Sequence, residues 1–167
     1  MTARGAWAMC VAVLLLGTTG KMAMFELQRI LNTGLRGCTI SAKPVNFGEY
    51  DTHSTRPLDG LGTISYICGP VPGKGAARNV RIEISEGSTG SFDRALANGS
   101  ELLPYNLYLD ASHTHVWGDG SDSTDYYFNP HPPNFKIVRV PVYARIPPLQ
   151  DATTGEYADI VQVKILF

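Results

Sequence analysis

His113 and His115 are the residues of this chain whose spacing first suggests chemistry. On a strand, alternate side chains share a face, so the two imidazoles could begin a metal site. No third ligand stands at a fixed spacing from them, and an exposed polar edge is the plainer expectation. Asp119, Asp122 and Asp125 offer carboxylates to calcium, but their spacing departs from the EF-hand pattern and suits a solvated acidic loop better. A serine hydrolase would need a nucleophile, a base and an orienting acid. The chain has no G-x-S-x-G elbow, and its four histidines are scattered at loop-like positions. The glycine-rich run Gly87 to Gly90 lacks the Lys-Ser/Thr ending of a phosphate loop. Asp93 and Arg94 read as an ion pair or a loop anchor. Tyr105, Tyr108 and Trp117 read as core or corner packing more readily than as a sugar platform. No catalytic residue, metal or cofactor is expected, and a hydrolase with a noncontiguous site is the residual enzymatic alternative.

The remaining reactive side chains are the cysteines. Cys10 lies inside the apolar stretch Ala6 to Leu16, which follows Arg4 and precedes the small residues Gly17-Thr18-Thr19-Gly20. That order reads as an export leader over residues 1–20, with cleavage after Gly20. Its apolar stretch of about 11 residues falls short of the roughly 20 needed to span a bilayer. Removing the leader takes Cys10 with it and leaves Cys38 and Cys68 bound for an oxidising compartment, where they are expected to pair. Closing a loop of about 30 residues stabilises a fold by roughly 3 to 4 kcal/mol on the chain-entropy account. Two buried thiols are the alternative.

The elements that must hold these residues are short. The chain has 167 residues with 17 Gly and 11 Pro, which punctuate every long segment. A coiled coil or helix bundle is thereby disfavoured, and about 145 residues after the leader make one domain. Fourteen Lys+Arg against fifteen Asp+Glu leave a formal charge of -1, so no nucleic-acid footprint exists. Only 17% of residues are charged, a composition suited to self-association. Period-two alternation marks Val80 to Ser85, Val138 to Arg145 and Val161 to Phe167. Pro141 places the second of these near a sheet edge, because it lacks a ladder donor. Cys38 to Tyr50, Thr63 to Cys68 and Tyr105 to Asp110 complete about six or seven strands, the pattern of an antiparallel sandwich. Glu86 to Ser100 and Asp119 to Asn134 read as loops. Lys21 to Gly37 stays open: Phe25, Leu27 and Leu31 share strand parity, while Met24, Leu27, Leu31 and Leu35 stand at helical spacing.

Read in order, several strings resemble the spore coat U domain family, which includes the pilins of archaic chaperone-usher pili. Cys38-Thr39-Ile40 leads into Val45-Asn46-Phe47-Gly48-Glu49-Tyr50-Asp51, and Gly62-Thr63-Ile64 leads to Cys68. Ile84-Ser85-Glu86-Gly87-Ser88-Thr89-Gly90-Ser91-Phe92 with Arg94 precedes Leu103-Pro104-Tyr105-Asn106-Leu107-Tyr108 and Asp110. Then follow Trp117-Gly118-Asp119-Gly120, Val142-Tyr143-Ala144-Arg145-Ile146-Pro147, and Gly155-Glu156-Tyr157-Ala158-Asp159 before the final strand. The arm departs from the pattern at Arg29, Gly34 and Gly37.

The resemblance implies an all-β fold: an incomplete immunoglobulin-like antiparallel β-sandwich lacking its last strand, with an N-terminal donor arm. Residues 21–37 would be the arm and residues 38–167 the sandwich. Ile40, Phe47, Val161, Val163, Ile165 and Phe167 would line an acceptor groove, and Phe25, Leu27, Ile30 and Leu31 of the arm would fill the groove of the next copy. The implied function is that of a structural subunit of a secreted pilus or coat. It would assemble head to tail with itself, after export through the periplasm with a periplasmic chaperone and an outer-membrane usher. An adhesive subunit that contacts a surface or glycan through the loops around Trp117 and Asp122 is the alternative.

Overall fold

The structure is a computed structural model and describes residues 11–17, 37–70 and 79–167, the first of these by backbone alone. Among these residues the strands run in the order β1 (Val11–Gly17), β2 (Cys38–Lys43), β3 (Leu58–Cys68), β4 (Val80–Ile84), β5 (Ala95–Asn98), β6 (Glu101–Pro104), β7 (Asn106–Tyr108), β8 (Tyr127–Asn129), β9 (Ile137–Ile146) and β10 (Ala158–Leu166). They form two antiparallel sheets. One has the order β6-β5-β10-β4-β8 with β1 added on β10, and the other has the order β2-β3-β9-β7.

The alternation that marks the strands is also what joins the layers. Ile64 and Tyr66 of β3, Val140, Val142 and Ala144 of β9, and Val161, Val163 and Ile165 of β10 all point into one buried core. Their neighbours Ser65, Arg139, Tyr143 and Gln162 face outward or sit at the surface. Each fully buried aliphatic side chain contributes about 1.5 to 3 kcal/mol, so this shared interior is the main cohesive term between the sheets. Cys38 pairs with Cys68 across β2 and β3, and the two are disulfide-bonded. After β2 the chain crosses β3 at two glycines. A Cβ on Gly60 would stand 2.5 Å from Val45 and 3.0 Å from Phe47, so only glycine lets this segment lie so close.

Two expectations are corrected. Glu86 to Ser100 is not all loop: β5 lies within it and forms a hairpin with β6, turning at Gly99-Ser100 with Gly99 at φ +62°. Asp119 to Asn134 contains β8, which pairs with β4. β9 lies near the sheet edge, as Pro141 led one to expect, with only the short β7 beyond it. Pro141 is tolerated because β7 pairs only with Tyr143–Arg145. Among the described strands, β9 therefore has β3 as its sole neighbour at the proline, where a missing N–H on the other side costs no ladder bond.

Candidate functional site: the outer edge of the last strand

β10 is held along one edge by two strands. Val163–Leu166 pair with Arg81–Ile84 of β4, and Ala158 pairs with Ala97 of β5. Its opposite edge is taken by β1, in an unbroken antiparallel register from Val11 opposite Lys164 to Gly17 opposite Ala158. β1 also runs close to β2, the edge strand of the second sheet, so it lies at the seam between the layers. Without a strand here, the outward N–H and C=O groups of residues 158–164 would lack ladder partners, and the apolar interior would open along the seam.

The six residues expected to line a groove join one apolar cluster. Val161, Val163 and Ile165 are fully buried, and Phe47 is nearly so, set edge-on to Tyr105 with ring centres 6.1 Å apart. Ile40 and Phe167 pack on the partly covered flank of the same cluster. Phe167 also crowds Gly37, whose φ of +90° and proximity to the ring exclude a side chain there. Phe25, Leu27, Ile30 and Leu31 lie outside the described residues.

β10 is positioned by a buried carboxylate. Asp159 is 2% exposed, and it accepts hydrogen bonds from the Tyr105 hydroxyl at 2.7 Å, the Ser88 hydroxyl at 2.6 Å, and the backbone N–H groups of Ser88 and Ile160 at 2.9 and 2.8 Å. Four donors compensate for the water it lost. Burial, and then the adjacent Asp159 charge, push the Tyr105 phenol far above its ordinary range, so it remains a donor. The cation of the interior is Arg94, 1% exposed. It donates to the carbonyls of Ser85 and Trp117 at 2.7 and 2.9 Å and to the Asn106 side chain at 2.7 Å. Burial lowers its pKa, and among the described residues its hydrogen-bond partners are neutral oxygens. Arg94 is therefore a loop anchor that ties β4, β7 and the Trp117 segment together. Sequence reading saw the anchor but missed Asp159 as a partner of Tyr105, since the two stand 54 positions apart.

The other chemistry-bearing residues do not converge. His113 and His115 share no strand face, because both sit in the turn between β7 and Trp117. His113 has a φ of +58° and tucks its ring between Tyr108 and Tyr143. His115 is exposed, with Nδ1 2.7 Å from Asp125. Asp119 accepts from the Ser121 N–H and hydroxyl, closing its own turn. Among the described residues, no three His, Cys, Asp or Glu side chains are grouped so as to hold a metal ion. Trp117 is fully buried and donates its indole N–H to the Ile82 carbonyl at 3.0 Å, so it offers no face to a ligand.

A family model for the spore coat protein U domain matches residues 23–164. The chain belongs to the spore coat protein U domain family. Among solved structures it is similar to a chain of the CsuC-CsuE chaperone-tip adhesion subunit pre-assembly complex from archaic chaperone-usher Csu pili of Acinetobacter baumannii. The TM-score is 0.52 at 18% identity, and the match covers 78% of this chain and 39% of that one. The chain thus spans well under half of that relative's length, and the likeness is one of fold. No curated protein sequence matches. The likeness places the two sheets as an incomplete immunoglobulin-like sandwich.

Proposed function

We propose that this spore coat U domain protein is a subunit of a secreted surface fibre or coat that polymerises by strand donation. The arm at residues 21–37 of one copy pairs with the outer edge of β10 in the next, and Phe25, Leu27, Ile30 and Leu31 enter its apolar seam. The observation that carries this reading is the edge itself: β4 and β5 occupy one side of β10, and the other side takes a strand from a segment remote in sequence. Main-chain pairing supplies affinity there, and alternate side chains supply selectivity. Because the arm and the edge are different surfaces, the contact is head to tail and extends without closing. Family membership supports export to the cell surface with a periplasmic chaperone and an outer-membrane usher, since the solved relative is part of a chaperone complex of such a pilus.

The Cys38–Cys68 bond anchors the first strand after the arm, so tension on a donated arm is delivered to a covalent staple. Deleting residues 21–35 tests the reading: the truncated subunit should still bind its chaperone but should not extend a polymer. Fibres of normal length from the deletion would refute it. The adhesive alternative loses Trp117 as a contact, since the indole is buried, and keeps the acidic turn at Asp122 with the exposed Tyr126 beside it.

A further inference from the structure

Two apolar side chains of this protein are displayed to solvent from strained backbone. Phe135 and Leu149 are each 62% exposed, and among the described residues no large apolar side chain is more so. Both also hold left-handed backbone, at φ +55° and +56°. The other non-glycine residues with positive φ are His113, Asp122 and Ser123, all polar, whereas a bulky apolar residue in that region is uncommon. Burial does not compensate the strain at either position. We propose that Phe135 and Leu149 are the two halves of one contact between successive copies, in which the acidic end of the sandwich that carries Leu149 meets the basic end that carries Phe135. The proposal rests on the strand-donation reading and adds to it a second surface, which sets how one copy sits on the next.

The two residues lie at opposite ends of the fold. Phe135 donates its N–H to the Cys68 carbonyl at 2.8 Å, beside the disulfide where β2 begins. Leu149 follows the pairing of Ile146 with Leu58 at the other end of β3, and its N–H donates to the Ser54 carbonyl at 3.3 Å. The length of β3, roughly 33 Å, separates them. Gln150 fastens the Leu149 turn: its N–H donates to the Tyr50 hydroxyl at 2.9 Å, and its side-chain amide donates to the carbonyls of Pro104 and Pro147 at 3.0 Å. The knob is thus held in place before any partner arrives. Charge differs in sign between the ends. Asp51, Glu101, Asp151 and Glu156 are exposed around Leu149, with Arg56 among them. Lys136 and Arg139 follow Phe135 and are exposed, while on the adjoining sheet Glu83 is already shared between Arg81 and Lys164 at 2.6 and 3.2 Å. The arm would bring these ends together. A donated strand antiparallel to β10 finishes beside Ala158, where the loop bearing Leu149 and Asp151 enters β10. From Leu31 of that arm, residues 32–37 lead back to Cys38 of their own copy, at most about 20 Å of chain. Opposite charge then favours one mating of the ends, and the apolar pair at its centre excludes water.

Cross-linking of assembled fibres tests the contact. Asp151→Cys and Lys136→Cys stand beside Leu149 and Phe135 and leave both in place. Fibres of the double variant, treated with a short bis-maleimide and boiled, should resolve as a ladder from dimer upward. Either single variant should give none, and neither should Asp151→Cys combined with Lys43→Cys, an exposed position opposite Thr63 in the middle of the sheet. Charge supplies a second readout. Lys136→Glu with Arg139→Glu sets like charge against like and should lower fibre yield about 10-fold or more, and adding Asp151→Lys with Glu101→Lys to the same chain should restore much of it. Phe135→Gly and Leu149→Gly relieve the backbone, so each should match the parent in chaperone-bound subunit recovered while yielding fewer fibres. Fibres that form without a ladder, an offset pair that cross-links equally well, or a charge reversal without effect would overturn the contact and leave strand donation standing. A parent chain that makes no fibres would remove strand donation and this contact with it.

Discussion

Two buried ions determine how the residues around β10 are fixed, and each makes a distinct prediction. Four donors surround the Asp159 carboxyl, so Tyr105→Phe should remove one buried hydrogen bond to it and cost about 1.5 to 3 kcal/mol. Chemical denaturation of the variant measures that directly, and an unchanged midpoint would contradict the assignment. Arg94→Met keeps the stem and strips the donors from three carbonyls and an amide. It should cost about 2 to 4 kcal/mol, more than most single substitutions. At the surface, the hydrogen bond to Asp125 raises His115 above its ordinary value of 6.5. A group raised on folding stabilises the fold fully below its unfolded pKa and loses that contribution as pH rises through the folded value. Both partners are largely exposed, so the effect on stability is small and is best read by NMR titration. Asp125→Asn should return His115 toward its ordinary value, and an unmoved titration would show that another group holds it.

Among the elements, the legible strands were those with long period-two alternation. Val80–Ile84, Ile137–Ile146 and Ala158–Leu166 declare themselves because one face of each is buried in a common core. β5 and β8 did not, for different reasons. Ala95–Asn98 is short and follows a glycine-serine run, yet Gly99-Ser100 is a two-residue hairpin signal that was there to be read. Tyr127–Asn129 was hidden between acidic residues and prolines, although its aromatic run favours a strand. The proline signal at Pro141 was sound, because β7 covers only one end of β9 and leaves that residue an open side. The cysteines were more transparent, since removing a leader leaves only two. The bond joins β2 to β3 just after the proposed donor arm. Replacing Cys38 and Cys68 with serine should cost about 2 to 5 kcal/mol, comparable with the whole stability of a small domain. Loss of exported material together with a lowered melting temperature is the expected result, and a variant as abundant and as stable as the parent would contradict it.

For the molecule as a whole, the sandwich class followed from glycine and proline punctuation, low charge and alternation, whereas the partner for β10 could not. A strand edge has no sequence signature of its own: it is defined by which neighbours are present, and β4, β5 and β1 all lie far from β10 in the chain. Val161, Val163 and Ile165 were recognisable as inward residues, but β1 became visible as their cover only in the folded register. The central claim is that copies of this chain join by placing residues 21–35 of one against β10 of the next. It is tested most directly by exporting the chain together with a spore coat U chaperone and usher, in parallel with Phe25→Arg, Leu27→Arg and the 21–35 deletion, and imaging surface fibres by electron microscopy. The account predicts fibres from the parent, few from the arginine variants and none from the deletion, with all four subunits still recovered bound to the chaperone. Fibres of equal number and length from the deletion would contradict it.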